Sequence, residues 1–141
     1  MENEKKHKIV IVDDECIIAD TLNLIFSANG YDARAAYSAE EVLEILVEWQ
    51  PDIALIDVIL PVMNGIELAM FMRTNHPSCH ILLISGQATT RDLLAEVEKK
   101  GHTFDLLAKP THPTELLERA LKLLSGDRQM NCCSSNPTTE N

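Results

Sequence analysis

Residues 8–18 read KIVIVDDECII: an unbroken apolar run stops on two adjacent aspartates, Asp13 and Asp14, with Glu15 behind them. Carboxylates set side by side repel one another, and a cation between them removes that cost. Three further apolar runs end on chemically useful groups: Asp57 after DIALI at 52–56, Ser85 after HILLI at 80–84, and Lys109 after FDLLA at 104–108. A hard cation such as Mg²⁺ takes a few carboxylate oxygens together with waters and a phosphate oxygen, a set that Asp13, Asp14 and Asp57 can begin. The Lys109 ammonium can pair with phosphate oxygens, and the Ser85 hydroxyl can donate to one. Asp57, alone at the end of its run, is then the candidate nucleophile for an aspartyl phosphate. Phosphoryl transfer rests on positioning and charge neutralisation, so it requires no catalytic histidine.

Bringing these groups together falls to the elements between them. Apolar runs without alternation (8–12, 52–56, 80–84, 104–108) predict strands buried on both faces, and YDARAA at 31–36 is a weaker fifth strand nearer a sheet edge. Helical spacing fills the gaps: Ile18, Leu22 and Ile25; Val42, Ile45, Leu46 and Trp49; Leu68 and Met72; Leu93, Leu94 and Val97; and Leu117, Ala120, Leu121 and Leu124. Gly30 and Gly101 follow helices, Ser38 precedes one, and Asn64-Gly65 opens another. Alternating strands and helices predict an α/β fold: a five-stranded parallel sheet, doubly wound, with helices on both faces. In such a sheet ligands bind beyond the carboxyl ends of the strands, where all five chemical groups are expected.

The 141 residues, 45% of them hydrophobic, suit one domain with a real core. A formal charge of -10 repels nucleic acid and anionic membranes, which argues against direct DNA binding and against membrane insertion. The first apolar run is too short for a signal peptide or a membrane span, and Cys16, Cys79, Cys132 and Cys133 form no disulfide framework. Both observations predict a cytoplasmic chain with reduced thiols. Composition divides it into an N-terminal arm (1–7), a folded domain (8–124) and a polar, disordered tail (125–141) too short for a DNA-binding module.

The segments IVDDE, LIDVILPVMNGIEL, LLISG and LLAKP resemble the signature of response-regulator receiver domains of two-component signalling, over residues 8–124. The resemblance implies a flavodoxin-like sheet of order 2-1-3-4-5. It also implies phosphorylation of Asp57, in a D-x-x-x-P-x-x-x-G motif completed by Pro61 and Gly65. The same resemblance assigns Mg²⁺ to Asp13, Asp14, Asp57 and the main-chain carbonyl of Ile59, a hydroxyl role to Ser85, and the lysine role to Lys109, with a cis bond to Pro110. The implied partners are a histidine kinase or histidine phosphotransfer protein and a downstream protein target, with phosphorylation-dependent dimerisation as one output. The position three residues before the lysine, Tyr or Phe in the family, is Leu106, with Phe104 two residues earlier on the same face; a muted or different switch is expected. Ile59 and Gln87 occupy positions that tune loss of the phosphoryl group, and an apolar Ile59 cannot orient water.

The expected function is a stand-alone, phosphorylation-dependent switch that catalyses its own phosphorylation and dephosphorylation without being a conventional turnover enzyme. Rivals are a phosphorylation-independent adaptor, a phosphorelay intermediate, a receiver cut from a longer protein, and an aspartate-nucleophile phosphatase, which would want a carboxylate where Ile59 stands. No G-x-G-x-x-G or G-x-x-x-x-G-K follows the first strand, against a nucleotide-binding module. His76, Cys79 and His80 in HPSCH fall short of a closed soft-metal site, and Glu15 reads equally as a water-mediated contributor or as a helix-dipole partner.

Overall fold

The computed structural model describes residues 6–86, 94, 95, 98, 99, 101, 104–109 and 112–125. Five strands, β1 (Lys8–Val12), β2 (Asp32–Ala36), β3 (Ile53–Asp57), β4 (His80–Ser85) and β5 (Asp105–Ala108), form one sheet in the order β2-β1-β3-β4-β5. Every pairing is parallel. β3 is buried at all five positions because it lies centrally with both faces covered, which is why its sequence is a continuous apolar run. β2 is an edge strand, and its exposed Asp32 and Arg34 place charge where an unpaired edge would otherwise invite another strand. β3 and β4 each run one residue beyond their apolar stretch, so Asp57 and Ser85 are the final strand residues themselves.

Alternation sorts the sheet into two faces. Val10, Val12, Ala54, Ile56, Ile81 and Leu83 join buried residues of α2 (Ala39–Glu48) and α3 (Gly65–Asn75) in one core cluster. The intervening residues Ile9, Ile11, Ile53 and Leu55 are also buried, on the face covered by α1 (Cys16–Ala28) through Ala19, Leu22 and Phe26. Ser38 caps α2 by accepting the Glu41 N–H, and Asn64 and Glu67 form a reciprocal capping box on α3. The chain leaves α1 through Gly30, whose φ of +93° is a left-handed turn open to glycine. Residues 94, 95, 98 and 99 are helical, and Leu94 packs against the core cluster; Leu93 and Val97 lie outside the described residues.

Compactness divides the chain at Thr111. The second unit carries α4 (Pro113–Leu124), which starts with proline at its first position and with the His112 ring accepting the Thr114 N–H; Leu116, Ala120 and Leu123 form its buried stripe. None of the described helices is long and apolar enough to cross a membrane.

At the end of the sheet where the strands begin, Asp52 joins three strands. Its carboxylate accepts the Lys8 N–H at 2.8 Å, its N–H donates to the Lys8 carbonyl at 2.8 Å, and its carbonyl accepts the His80 N–H at 2.9 Å. The HPSCH residues do not converge on a metal: the His76 ring bonds to the Gln50 side chain at 2.8 Å, and the buried Cys79 thiol donates to the His80 carbonyl. Burial, aided by the Asp52 charge and opposed by Arg73, pushes the Cys79 thiol up to about 12. Iodoacetamide at pH 8 is therefore expected to alkylate exposed Cys16 and to spare Cys79 until the protein is unfolded, as peptide mass spectrometry would read directly.

Candidate functional site

The register of the central strands assembles the pocket. Val12 pairs with Ile56, so the next residues, Asp13 and Asp57, emerge side by side; Ser85 pairs with Ala108, which sets Lys109 beside Ser85. Asp13 is held by its N–H donating to the Ala36 carbonyl at 3.1 Å, and its Oδ1 accepts the Glu15 N–H at 2.9 Å. Asp57 Oδ1 accepts the Ile59 N–H at 3.1 Å, and the Lys109 N–H donates to the Ser85 carbonyl at 2.8 Å. Each carboxylate thus spends one oxygen on the backbone two residues ahead and turns the other inward.

Those inward oxygens meet one cation. Lys109 Nζ lies 3.1 Å from Asp13 Oδ2 and 3.1 Å from Asp57 Oδ2. Asp13 is 0% exposed and Asp57 6%, so neither carboxylate has bulk water to neutralise it. Burial raises the Asp57 pKa; the Ile59 N–H and Lys109 pull it back, the Asp13 charge adds to the rise, and the result stays above the ordinary carboxylate value. For Lys109, burial lowers the pKa, but hydrogen bonds and charges from Asp13 and Asp57 outweigh it and hold the ammonium above the ordinary lysine value. Oxygens of Asp13, Asp14 and Asp57 all lie within 4.8 Å of one another, the one such group of metal-capable side chains among the described residues. An all-oxygen set with one exposed member suits a hard divalent cation, and Lys109 shows that the pocket already draws positive charge.

The loop from Val58 to Asn64 leaves the site and returns to it. The Val58 N–H donates to the Ile84 carbonyl at 2.9 Å, and the Gly65 N–H donates to the Val58 carbonyl at 2.7 Å. A Cβ on Gly65 would overlap the Asp57 carbonyl oxygen, so only glycine lets α3 begin against the end of β3. Leu60 and Met63 anchor the loop on the core cluster. Val62 has φ of +67°, a left-handed conformation that costs a β-branched residue roughly 1–2 kcal/mol.

All five strand-end groups expected from the sequence thus lie at one edge of the sheet, with Ser85 buried and Asp14 exposed. Gln87, Pro110, Cys132 and Cys133 lie outside the described residues. Leu106 and Phe104 both pack in part against the core cluster, and the Arg73 guanidinium sits 4.6 Å over the Phe104 ring. Glu15 precedes the first turn of α1 with its side chain exposed, and its structural part is the backbone N–H given to Asp13, which side-chain chemistry does not signal. Nor does the residue pattern, which marks Gly65 as a helix start, reveal its close approach to the Asp57 carbonyl.

The packing and charge of this edge set two expectations for stability. Gly65→Ala is expected to destabilise by about 3 kcal/mol through backbone displacement beside Asp57, measured by urea unfolding. Because the folded state raises the Asp57 pKa, it binds that proton more tightly than the unfolded chain, and stability falls as pH rises between the ordinary carboxylate value and the raised one. Asp57→Asn is therefore expected to be more stable than the parent by about 1 kcal/mol at pH 7 with EDTA present, the gain shrinking as pH is lowered through that window in thermal melts.

The profile of the response regulator receiver domain matches residues 9–121. Aerobic respiration control protein ArcA of Escherichia coli strain K12 is 35% identical over 123 residues, covering 87% of this chain and 50% of that protein. DNA-binding response regulator MtrA of Mycolicibacterium paratuberculosis is 28% identical over 114 residues, covering 81% of this chain and 49% of its own. The chain therefore spans about half the length of these curated relatives. The crystal structure of a CheY-like response regulator receiver domain protein from Methanospirillum hungatei JF-1 superimposes with a TM-score of 0.79 at 26% identity, covering 90% of this chain and 100% of that one. Fold, strand-end chemistry and relatives agree: the chain belongs to the response regulator receiver domain family.

Proposed function

We propose that this receiver accepts a phosphoryl group on Asp57 from the phosphohistidine of a histidine kinase or histidine phosphotransfer protein. The observation that carries the reading is the convergence of two buried carboxylates on one ammonium, at 3.1 Å each, with a third carboxylate alongside. Asp57 Oδ2 is the attacking atom, since Oδ1 is held by the Ile59 N–H. It forms a bond to phosphorus as the phosphorus–nitrogen bond breaks, and the departing imidazole keeps the electron pair and takes up a proton. Lys109 pairs with a phosphoryl oxygen in place of the carboxylate it held, and the Ser85 hydroxyl donates to another. Asp13, Asp14, Asp57 and the Ile59 carbonyl would hold Mg²⁺, whose contribution is to neutralise charge on the transferring group.

Output then runs through protein contacts. The chain charge of -10 opposes docking of this segment on DNA phosphates, and a cytoplasmic site of action fits a histidine-kinase donor. The transition differs from one driven by an aromatic ring at position 106: Leu106 is aliphatic there, and the available ring, Phe104, is stacked under Arg73. Ile59 and Gln87 set the lifetime of the phosphoryl group.

Intact mass after acetyl phosphate with Mg²⁺ tests the reading. A gain of about 80 Da, lost with EDTA and absent in Asp57→Asn, is the expected result for an aspartyl nucleophile. A gain that persists in Asp57→Asn would move the acceptor to another residue, and no gain in a chain that still binds Mg²⁺ would replace the reading with a phosphorylation-independent adaptor.

A further inference from the structure

Val62 is placed against two physical preferences at once. Its φ of +67° is one that β-branched side chains avoid, and its side chain is 92% exposed, so no packing within the described chain offsets the strain. The rest of its loop explains why the residue is presented and not tucked away. Buried Leu60 and half-buried Met63 pin the loop inward, while the foot of the loop is fixed at Asp57 and Val58 by the Ile59 and Gly65 amides. What faces outward is apolar: Ile59 at 47% exposure, Pro61, and Val62 at the turn.

We propose that Ile59, Pro61 and Val62 form an apolar contact for the protein that delivers the phosphoryl group, with Val62 as its specificity-determining residue. The inference rests on Asp57 as phosphoacceptor. Position identifies the occupant: the loop begins at the residue after Asp57, and Gly65, which follows it, packs against the Asp57 carbonyl, so a folded donor reaching Asp57 must come against the loop. A small donor need not. The acidic side chains at the same edge, Asp14 and Glu15, both exposed, favour a donor surface that sets basic groups beside an apolar recess.

The test compares two donors on four chains. Acetyl phosphate with Mg²⁺ is the small donor; the protein donor is whichever purified, autophosphorylated histidine-kinase core in a panel labels the parent chain fastest. Val62→Asn and Val62→Gly keep a left-handed backbone without the apolar branch, and Val62→Ile keeps the branch. All three variants are expected to take phosphate from acetyl phosphate within about twofold of the parent, whereas the Asn and Gly variants need about tenfold more protein donor for half-maximal rate and the Ile variant does not. Parent-like use of the protein donor by the Asn and Gly variants would overturn the proposal. Equal losses with both donors would overturn it too, by showing that Val62 acts through the shape of the pocket, as would a panel in which no kinase outpaces acetyl phosphate. Failure of acetyl phosphate to label Asp57 in the parent would instead remove the phosphoacceptor reading beneath it.

Discussion

The structure turns on one ammonium shared by two buried carboxylates. Asp13 and Asp57 reach the same point only because β1 and β3 are neighbours in parallel register, and Lys109 reaches them only because β4 and β5 extend that register outward. A slip of one residue in any of these pairings would turn the group to the opposite face of the sheet. The apolar strands therefore do more than supply a core. Their burial on both faces fixes the register, and the register sets the relative positions of charges that are far apart in sequence.

Such a pocket is built at the expense of stability. A carboxylate held at 6% exposure beside another, a strained valine and a helix that begins in contact with a strand end are all features that folding alone would discard. Each lies at the carboxyl edge of the sheet. Elsewhere the chain obeys ordinary rules: caps at Ser38 and Asn64, a left-handed glycine after α1, and charge on the edge strand. The concentration of exceptions at one edge is itself a physical signature of a working site.

Much of this was legible in the residues. Continuous apolar runs marked the buried strands, and the polar residue that closes each run located Asp13, Asp57, Ser85 and Lys109, because strand ends in an open α/β sheet converge regardless of chain distance. The placement of YDARAA at an edge came from its weaker apolar pattern. Effects set by closure in three dimensions were beyond the reach of pattern. The left-handed φ of Val62 depends on where the loop must return, and the need for glycine at 65 depends on how closely α3 approaches the Asp57 carbonyl. The exposed Glu15 side chain likewise gives no sign of its backbone N–H, which is the group that orients Asp13.

Asp52 is the counterpart of this pocket at the other end of the sheet, tying the start of β1 to the start of β4 with main-chain and carboxylate bonds. With that end secured by its own local bonds, the loops there take no part in positioning Asp13, Asp57 or Lys109. Those loops can be lengthened or recharged without touching the carboxylates and ammonium at the opposite edge. The sheet thus separates what must be kept from what can be invented, and places the two roughly a strand's length apart.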